Sequence, residues 1–250
     1  VTKQKKDIKN IIFLNSIDEL NYIKEQDKYI EVGAATPLIK FEFIIKKYYP
    51  DFNRILKRYG SVQIRNVATL GGNIATASPI GDSLPLLLSL DAIIAIESFN
   101  KKMVMPLKDF FTGYRKTMLK KGQFIRSIRI PIFNKNIFKA YKISKRIDDD
   151  ISSVCASFNL AIVNKKIKNI KIAYGGMAAT PKRAVYCEKI LLNSNFSEDI
   201  ILKAQKSLEK DFQPIDDMRA SKDYRLKIAK NLLTKCFAEI KKNQLIRLSY

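Results

Sequence analysis

The chain has 250 residues, enough for one large or two ordinary domains, and its hydrophobic fraction of 46% is typical of a folded globular protein. Its net charge of +22 comes mainly from Lys spread over the whole length, which is the pattern of a protein encoded by AT-rich DNA and argues against a nucleic-acid-binding surface. The lack of His and the wide spacing of Cys155, Cys187 and Cys236 argue against a metal site and against hydrolysis with a His general base.

Strands and helices alternate along the first part of the chain. Ser16 and Glu19 have capping-box spacing, and Pro37 suits the first turn of a helix. The predicted elements are a strand at 11–15, a helix at 16–25, a strand at 28–35, a helix from 36–37, an apolar helix through 85–89, a strand at 91–98, a turn-like element at 110–119 and a strand at 123–133.

From about residue 135 three strands follow one another, and Asn164 to Lys166 predict a hairpin between two of them. Three helices then follow, at 181–192, 198–212 and 222–242, with Ser197 and Ser221 as the caps of the last two. Strands followed by helices indicate an α+β domain with helices on one side of an antiparallel sheet. We therefore predict two domains, 1–134 and 135–250. Cys155 is expected to be a small buried residue.

The segment ATLGGNIATASPIGD, residues 68–82, is unusually small and uncharged. Gly71 and Gly72 permit a positive φ, so their backbone amides could converge on a pyrophosphate with Thr69 and Asn73 at the rim. Asp82 could accept hydrogen bonds from sugar or ribityl hydroxyls. The alternative, of equal weight from the residues alone, is a tight turn between a strand and a helix, closed by Asp82 as a helix cap. The segment matches neither GxGxxG nor the Walker motif.

This segment, within RNVATLGGNIATASPIGDSLPLLLSLDA, resembles the FAD-binding domain of molybdenum hydroxylases. The resemblance continues through FFTGYRKTMLKKGQFI, YKISKRIDDDIS, AYGGMAATPKRA and DFQPIDDMRAS, and within the family it is strongest to the small subunit of bacterial xanthine dehydrogenase. It implies a two-domain α+β fold: an FAD-binding domain of the vanillyl-alcohol-oxidase (PCMH) type, then an α+β domain like the C-terminal domain of carbon monoxide dehydrogenase flavoproteins.

The resemblance also implies a function. FAD on this chain would receive electrons from iron–sulfur clusters and pass hydride to NAD, while purines are oxidised at a molybdenum cofactor on a large subunit. The iron–sulfur domains and the large subunit would be partners in a hetero-oligomer. Two alternatives remain open: a flavin subunit of a related hydroxylase acting on an aldehyde, an aromatic thioester or carbon monoxide, and a cofactor-free scaffold that docks its partner.

The family's flavin contacts fall on matching positions of this chain. The implied cofactor-binding residues are Tyr59, Thr69, Gly71, Gly72, Asn73, Asp82, Ile125 and Lys142. Tyr114 matches an aromatic residue beside the ring where NAD approaches, and Asp149 an acidic loop residue near the ring. Core packing is the alternative for Tyr59, Ile125 and Tyr114, and a solvated charge cluster is the alternative for Lys142 and Asp149.

The family has a second phosphate loop, of the form AGGTD, before a segment like VTKQ. The sequence opens at that segment, so we expect either a piece of a longer polypeptide or an incomplete phosphate cradle. The longest nearly apolar run, 84–96, is too short to span a bilayer, and VTKQKKDIKN has no signal-peptide core, so we expect a cytoplasmic protein with no membrane or nucleic-acid partner.

Overall fold

The computed structural model describes residues 11–243. The strands, in chain order, are β1 (Ile23–Glu25), β2 (Tyr29–Gly33), β3 (Ile93–Ser98), β4 (Lys101–Pro106), β5 (Phe111–Gly113), β6 (Lys116–Thr117), β7 (Phe124–Pro131), β8 (Ile137–Ile143), β9 (Val154–Val163), β10 (Lys166–Gly175) and β11 (Lys182–Arg183). The helices are α1 (Leu38–Tyr48), α2 (Pro50–Lys57), α3 (Val62–Val67), α4 (Leu70–Thr76), α5 (Ser83–Ser89), α6 (Val185–Leu191), α7 (Glu198–Asp211) and α8 (Lys222–Lys242).

An antiparallel sheet of order β1-β2-β7-β3-β4 organises the part of the chain before residue 134. Alternating apolar residues put one face of β7 into the core, as Ile128 and Ile130 are fully buried. In the register of this sheet Ile128 lies opposite Val32 of β2 and Ile94 of β3, both also buried. Helices α1, α2, α4 and α5 contribute many of the other residues of this core.

A second antiparallel sheet of order β11-β10-β9-β8 organises the part after residue 136. Its long central hairpin, β9–β10, turns at Asn164 and Lys165, which both adopt a positive φ. A second core surrounds Phe158 and Tyr174 and includes the buried faces of α6, α7 and α8. This arrangement of strands and helices confirms the predicted α+β class, and the predicted hairpin turns at Asn164 and Lys165, with Lys166 as the first residue of β10.

Helix α5 joins the two sheets. All seven of its residues are buried, and it packs against β9 and β10 as well as against α4. As a consequence Cys155 and Ala173 of the second sheet belong to the core of the first, and Ala140 on β8 joins them because β8 packs against α2. The N-terminal end of α5, beginning just after Asp82, therefore lies at the seam between the two parts of the chain.

Several predicted elements differ from the structure. The strand at 11–15 and the helix at 16–25 are wrong: these residues form the short 3-10 turns Leu14–Ser16 and Asp18–Leu20, and then strand β1. Pairing of β1 with β2 outweighs the local capping-box pattern of Ser16 and Glu19. Helix α6 begins at Val185 and not at 181, because Lys182–Arg183 pair with β10. Helices α2 and α3 were not predicted.

The predicted helix caps are confirmed only in part. The Ser221 side chain accepts a hydrogen bond from the Tyr224 amide, and α8 has the predicted bounds. Ser197 precedes α7 as predicted but makes no side-chain capping bond. Pro37 lies just before α1 and outside its first turn.

Candidate functional site

The glycine segment, residues 68–82, begins as a helix. Thr69 is extended and its side-chain oxygen accepts a hydrogen bond from the Gly72 amide at 2.9 Å, which caps α4. Gly71 and Gly72 do not use the positive φ that glycine permits: both lie in the first turn of α4, and the positive-φ glycines among residues 11–243 are Gly60, Gly122 and Gly176. The Thr69 cap favours the helical conformation, so the segment is not an irregular amide nest.

The absence of a side chain matters for a different reason at each of these two glycines. A Cβ on Gly71 would lie 2.5 Å from the Ala34 Cβ and 2.6 Å from the Ala34 carbonyl oxygen, so this position permits α4 to pack directly on the chain after β2. A Cβ on Gly72 would meet the Thr69 hydroxyl oxygen at 3.1 Å and, among residues 11–243, no other neighbouring side chain or segment within 4 Å. The exposed face of Gly72 is therefore left free for a close approach to the backbone.

That face lines a cleft of about 250 Å³. Thr69, Gly71, Gly72 and Ile125 from the predicted set all line it. The remaining lining residues come from the start of the described chain, the end of β2, helix α4 and the start of β7: Leu14, Asn15, Leu20, Ala34, Ala35, Ala75, Leu119, Gln123 and Phe124. The cleft thus has apolar walls and the capped amino end of α4 on one side, which suits a ligand with both an apolar and an anionic part.

Asn73 connects this helix to the interior. Its amide nitrogen donates to the Tyr59 hydroxyl at 2.9 Å, and its amide oxygen accepts from the Ser83 hydroxyl at 2.6 Å. Burial, and then the negative charge of Asp82, raise the pKa of Tyr59, whereas the bond to Asn73 opposes that rise. Tyr59 therefore keeps its proton and is held against α4 at the edge of the core.

Asp82 and Lys142 form a buried ion pair across the seam. The Lys142 ammonium lies 2.7 Å from one Asp82 oxygen and donates at 2.8 Å to the carbonyl oxygen of Arg58. The other Asp82 oxygen accepts from the Ser152 hydroxyl. Burial raises the pKa of Asp82, while Lys142, Ser152 and Arg58 oppose the rise. Since favourable partners surround it on both sides, we describe this carboxyl as the ionised partner of Lys142.

The geometry decides between some of the alternatives. Asp82 makes no side-chain capping bond to α5, so the helix-cap alternative is wrong. Lys142 is buried, so a solvated charge cluster does not describe it, whereas Asp149 is exposed with φ 48°. Ile125 does pack in the core, but Tyr114 is 59% exposed and does not.

The structure brings eight of the predicted residues into two adjoining groups and leaves two apart. Asn73 on α4 connects the cleft group of Thr69, Gly71, Gly72 and Ile125 with the interior group of Tyr59, Asp82 and Lys142. Tyr114 stands in the β5–β6 hairpin, where its ring meets the Arg115 guanidinium at 5.9 Å. No hydrogen bond within residues 11–243 ties Tyr114 or the Asp149 side chain to either group.

Sequence reasoning missed Arg58 and Ser152. The Arg58 guanidinium donates to the carbonyl oxygens of Lys142 at 3.0 Å and Ile147 at 2.8 Å, and to the Ser144 hydroxyl at 3.0 Å, and so anchors the β8–β9 loop. The position of Arg58 beside Tyr59 was the one available signal. Cys155 is buried as predicted, its sulfur lies 3.6 Å from the Asp82 carbonyl oxygen, and burial raises the pKa of its thiol.

The described chain offers neither a metal site nor a membrane span. Across residues 11–243 no group of three or more His, Cys, Asp or Glu is arranged to hold a metal ion. None of the helices in that range combines the length and the apolar character that crossing a bilayer requires.

Comparison with known proteins identifies the class. Residues 1–133 match the family described as FAD binding domain in molybdopterin dehydrogenase, and residues 139–240 match the CO dehydrogenase flavoprotein C-terminal domain. The chain belongs to this family: it is an FAD-binding oxidoreductase component of the molybdenum hydroxylase type. The expected two-domain flavoprotein fold is thereby confirmed.

Individual relatives differ in their activities. The chain is 31% identical to the glyceraldehyde dehydrogenase medium chain of Sulfolobus acidocaldarius, over 92% of this chain and 82% of that one. It is 32% identical to the xanthine dehydrogenase of Emericella nidulans over 80% of this chain, but spans only 16% of that protein. It is similar in structure to carbon monoxide dehydrogenase from Hydrogenophaga pseudoflava, with a TM-score of 0.84 and 25% identity over 88% of this chain and 77% of that one.

Proposed function

We propose that this chain is the FAD-carrying portion of a xanthine dehydrogenase, which takes electrons from iron–sulfur clusters and delivers hydride to NAD during hypoxanthine or xanthine oxidation. When bound, FAD supplies the exchange between one-electron and two-electron chemistry, and the protein supplies binding, orientation and electrostatics. In this proposal the molybdenum cofactor and the iron–sulfur clusters lie on partner domains or subunits of a hetero-oligomer.

The cleft beside α4 is the observation that carries the proposal. Gly72 leaves open the space that a Cβ would fill, which fits a diphosphate approaching the first turn of the helix. Leu119, Phe124 and Ile125 form apolar walls suited to a ring system. These features fit the two chemically distinct parts of FAD, and the matched family is itself a flavin-binding one.

We assign the residues as follows. Thr69, Gly71, Gly72 and Asn73 hold the diphosphate end, Ile125 lies beside the ring system, and Tyr59 supports Asn73. Asp82 and Lys142 provide fixed, paired charges at the same site. Tyr114 and Asp149 lie on the side of the ring where NAD is reduced; their exposure suits a role towards an incoming substrate.

A second candidate is the flavin subunit of an aldehyde-oxidising hydroxylase. It is favoured by the glyceraldehyde dehydrogenase medium chain, because this chain covers 82% of that relative and only 16% of the fungal xanthine dehydrogenase. The substrate is chosen at the molybdenum site in either case, so this chain's cleft does not discriminate between them. The assignment to a xanthine dehydrogenase is supported instead by three sequence segments, SPIGDSLP, RKTML and KRIDDDIS.

The test has two parts. FAD is first measured in the purified complex of the chain with its partner subunits, with one bound FAD per chain as the expected result; a complex that contains the chain but neither carries nor takes up FAD would support the scaffold alternative instead. The complex with its partner subunits is then supplied with xanthine or glyceraldehyde, and NADH formation is recorded. Glyceraldehyde-dependent activity without xanthine-dependent activity would refute the xanthine assignment.

A further inference from the structure

The Asp82 carboxylate is held from the C-terminal part of the chain although it belongs to the N-terminal part. Lys142 on β8 approaches one oxygen and Ser152, in the β8–β9 loop, donates to the other. Ser152 is only 1% exposed, so its hydroxyl has no access to bulk water as an alternative partner. Each carboxylate oxygen thus has its own donor, and the side chain is fixed at both ends.

The position of Asp82 affects the cleft through two short connections. Ser83 follows Asp82 directly and donates to the Asn73 side chain at 2.6 Å. Asn73 belongs to α4, the helix that presents Thr69 and Gly72 to the cleft. A change at Asp82 that shifts its backbone would therefore move Ser83, and with it the hydrogen bond that holds Asn73 on α4.

We propose that Ser152 is a positioning residue for the FAD site, which fixes the Asp82 carboxylate in the geometry and charge state that FAD binding requires. This inference rests on the proposed function. Ser152 acts through Asp82 and makes no contact with the cleft itself. Lys142 alone neutralises the charge of Asp82, but a single ammonium contact leaves the second carboxylate oxygen without a donor, and that oxygen is the one that Ser152 holds.

The proposal predicts a pH dependence with a defined sign. The charged or titratable groups that face Asp82 are Lys142 from β8, Arg58 after α2, Tyr59, and Cys155 from β9. Burial already raises the pKa of Asp82, and the Ser152 hydroxyl opposes that rise. Its removal raises this pKa further, so Asp82 becomes protonated at a higher pH and FAD affinity is lost earlier on acidification. The chain contains no His, so no imidazole titrates in the same window.

The experiment measures the dissociation constant of FAD against pH, from pH 8.5 to pH 4.5, for the complex with the partner subunits that contains the wild type, Ser152→Ala or Ser153→Ala. Ser153 is the matched control: it is adjacent and 3% exposed, and its hydroxyl contacts the Arg219 carbonyl oxygen at 3.5 Å and not Asp82. We expect the midpoint for Ser152→Ala to lie about one to two pH units above the other two, which is the size of one hydrogen bond to a charged group.

A second variant guards against a folding defect. Ser152→Cys keeps the side-chain size with a weaker donor, and its midpoint is expected between those of the wild type and Ser152→Ala. Superimposed profiles for all four proteins would overturn the positioning role while leaving the proposed function intact. A wild type that does not bind FAD would overturn the proposed function, and this inference with it, which is a different pattern of results.

Discussion

Gly71→Ala and Gly72→Ala are adjacent substitutions of the same kind, and we expect opposite effects from them. The Gly72 methyl group would project into the cleft, with the Thr69 oxygen at 3.1 Å as its nearest neighbour. The Gly71 methyl group would collide with Ala34, a contact at 2.5 Å that involves the packing of α4 on the chain after β2. We therefore expect Gly72→Ala to lose FAD and keep its fold, and Gly71→Ala to lose stability.

The magnitudes follow from these contacts. Replacing Gly by Ala within a helix gains about 0.5–1 kcal/mol, and the Thr69 side chain needs to move by only a few tenths of an ångström. The free energy of unfolding of Gly72→Ala should therefore lie within about 1 kcal/mol of the wild type. Carbon atoms pack at about 3.5–4.0 Å, so Gly71→Ala requires a shift of roughly 1 Å, and overpacking of this kind costs about 1–3 kcal/mol.

FAD affinity should be affected in the opposite order, with the larger loss in Gly72→Ala. A methyl group that keeps a phosphate from the first turn of α4 removes at least one charge-assisted hydrogen bond, worth about 1.5–3 kcal/mol, or roughly 10- to 100-fold in the dissociation constant. Urea unfolding of the FAD-free proteins gives the stabilities, and fluorescence titration gives the affinities. An unchanged FAD affinity in Gly72→Ala, or a fully stable Gly71→Ala, would refute the placement of these glycines.

Two further substitutions probe residues outside the cleft. Tyr114→Ala should leave the free energy of unfolding within about 0.5 kcal/mol of the wild type, because the Tyr114 side chain is 59% exposed. In the complete enzyme the same substitution should slow the reduction of NAD far more than the reduction of an artificial dye. Equal losses in the two assays would contradict the role assigned to Tyr114. Asp217→Asn tests the stability of the protein in acid. Burial alone would raise the pKa of Asp217, but hydrogen bonds from the amides of Arg219 and Ala220 and from the Arg225 guanidinium hold that pKa below its usual range. The ionised Asp217 carboxylate therefore stabilises the fold above about pH 4, and this stabilisation is lost as the pH falls through the lower folded-state pKa. Urea unfolding should show that Asp217→Asn lowers the free energy of unfolding by about 1 kcal/mol or less at pH 7, after solvent screening, and leaves it unchanged near pH 2. A decrease that does not depend on pH would contradict this assignment.

Elements with strong local signals were predictable from the sequence. Helix α8 begins after a Ser221 cap that needs only its own first turn, and the β9–β10 hairpin turns where Asn164 adopts a positive φ. The segment before β2 was not predictable in the same way. The pattern from Ser16 to Glu19 is a valid helix signal, but pairing with β2 supplies hydrogen bonds from a distant segment and outweighs it.

The candidate site also has features that the sequence predicted and features that it did not. The resemblance to flavin-binding domains indicated which residues to consider, and four of them do line one cleft. It did not indicate that Gly71 and Gly72 serve different neighbours, because that depends on where Ala34 lies in three dimensions. Nor did it indicate that Asp82 and Lys142 pair, since a sequence separation of 60 residues leaves no local pattern.

The pairing of Asp82 with Lys142 changes how the role of each residue should be understood. Removing one partner of a buried ion pair leaves an uncompensated charge and typically costs about 3–5 kcal/mol, more than a single contact with a ligand is worth. Loss of FAD after either single substitution would therefore not show a direct contact with the cofactor. Ser152 offers a better perturbation, because its removal leaves the ion pair in place and changes only the second oxygen of Asp82. An effect of Ser152 on FAD that exceeds its effect on folding would mean that the β8–β9 loop of the C-terminal part helps to determine the affinity of a cleft formed by the N-terminal part.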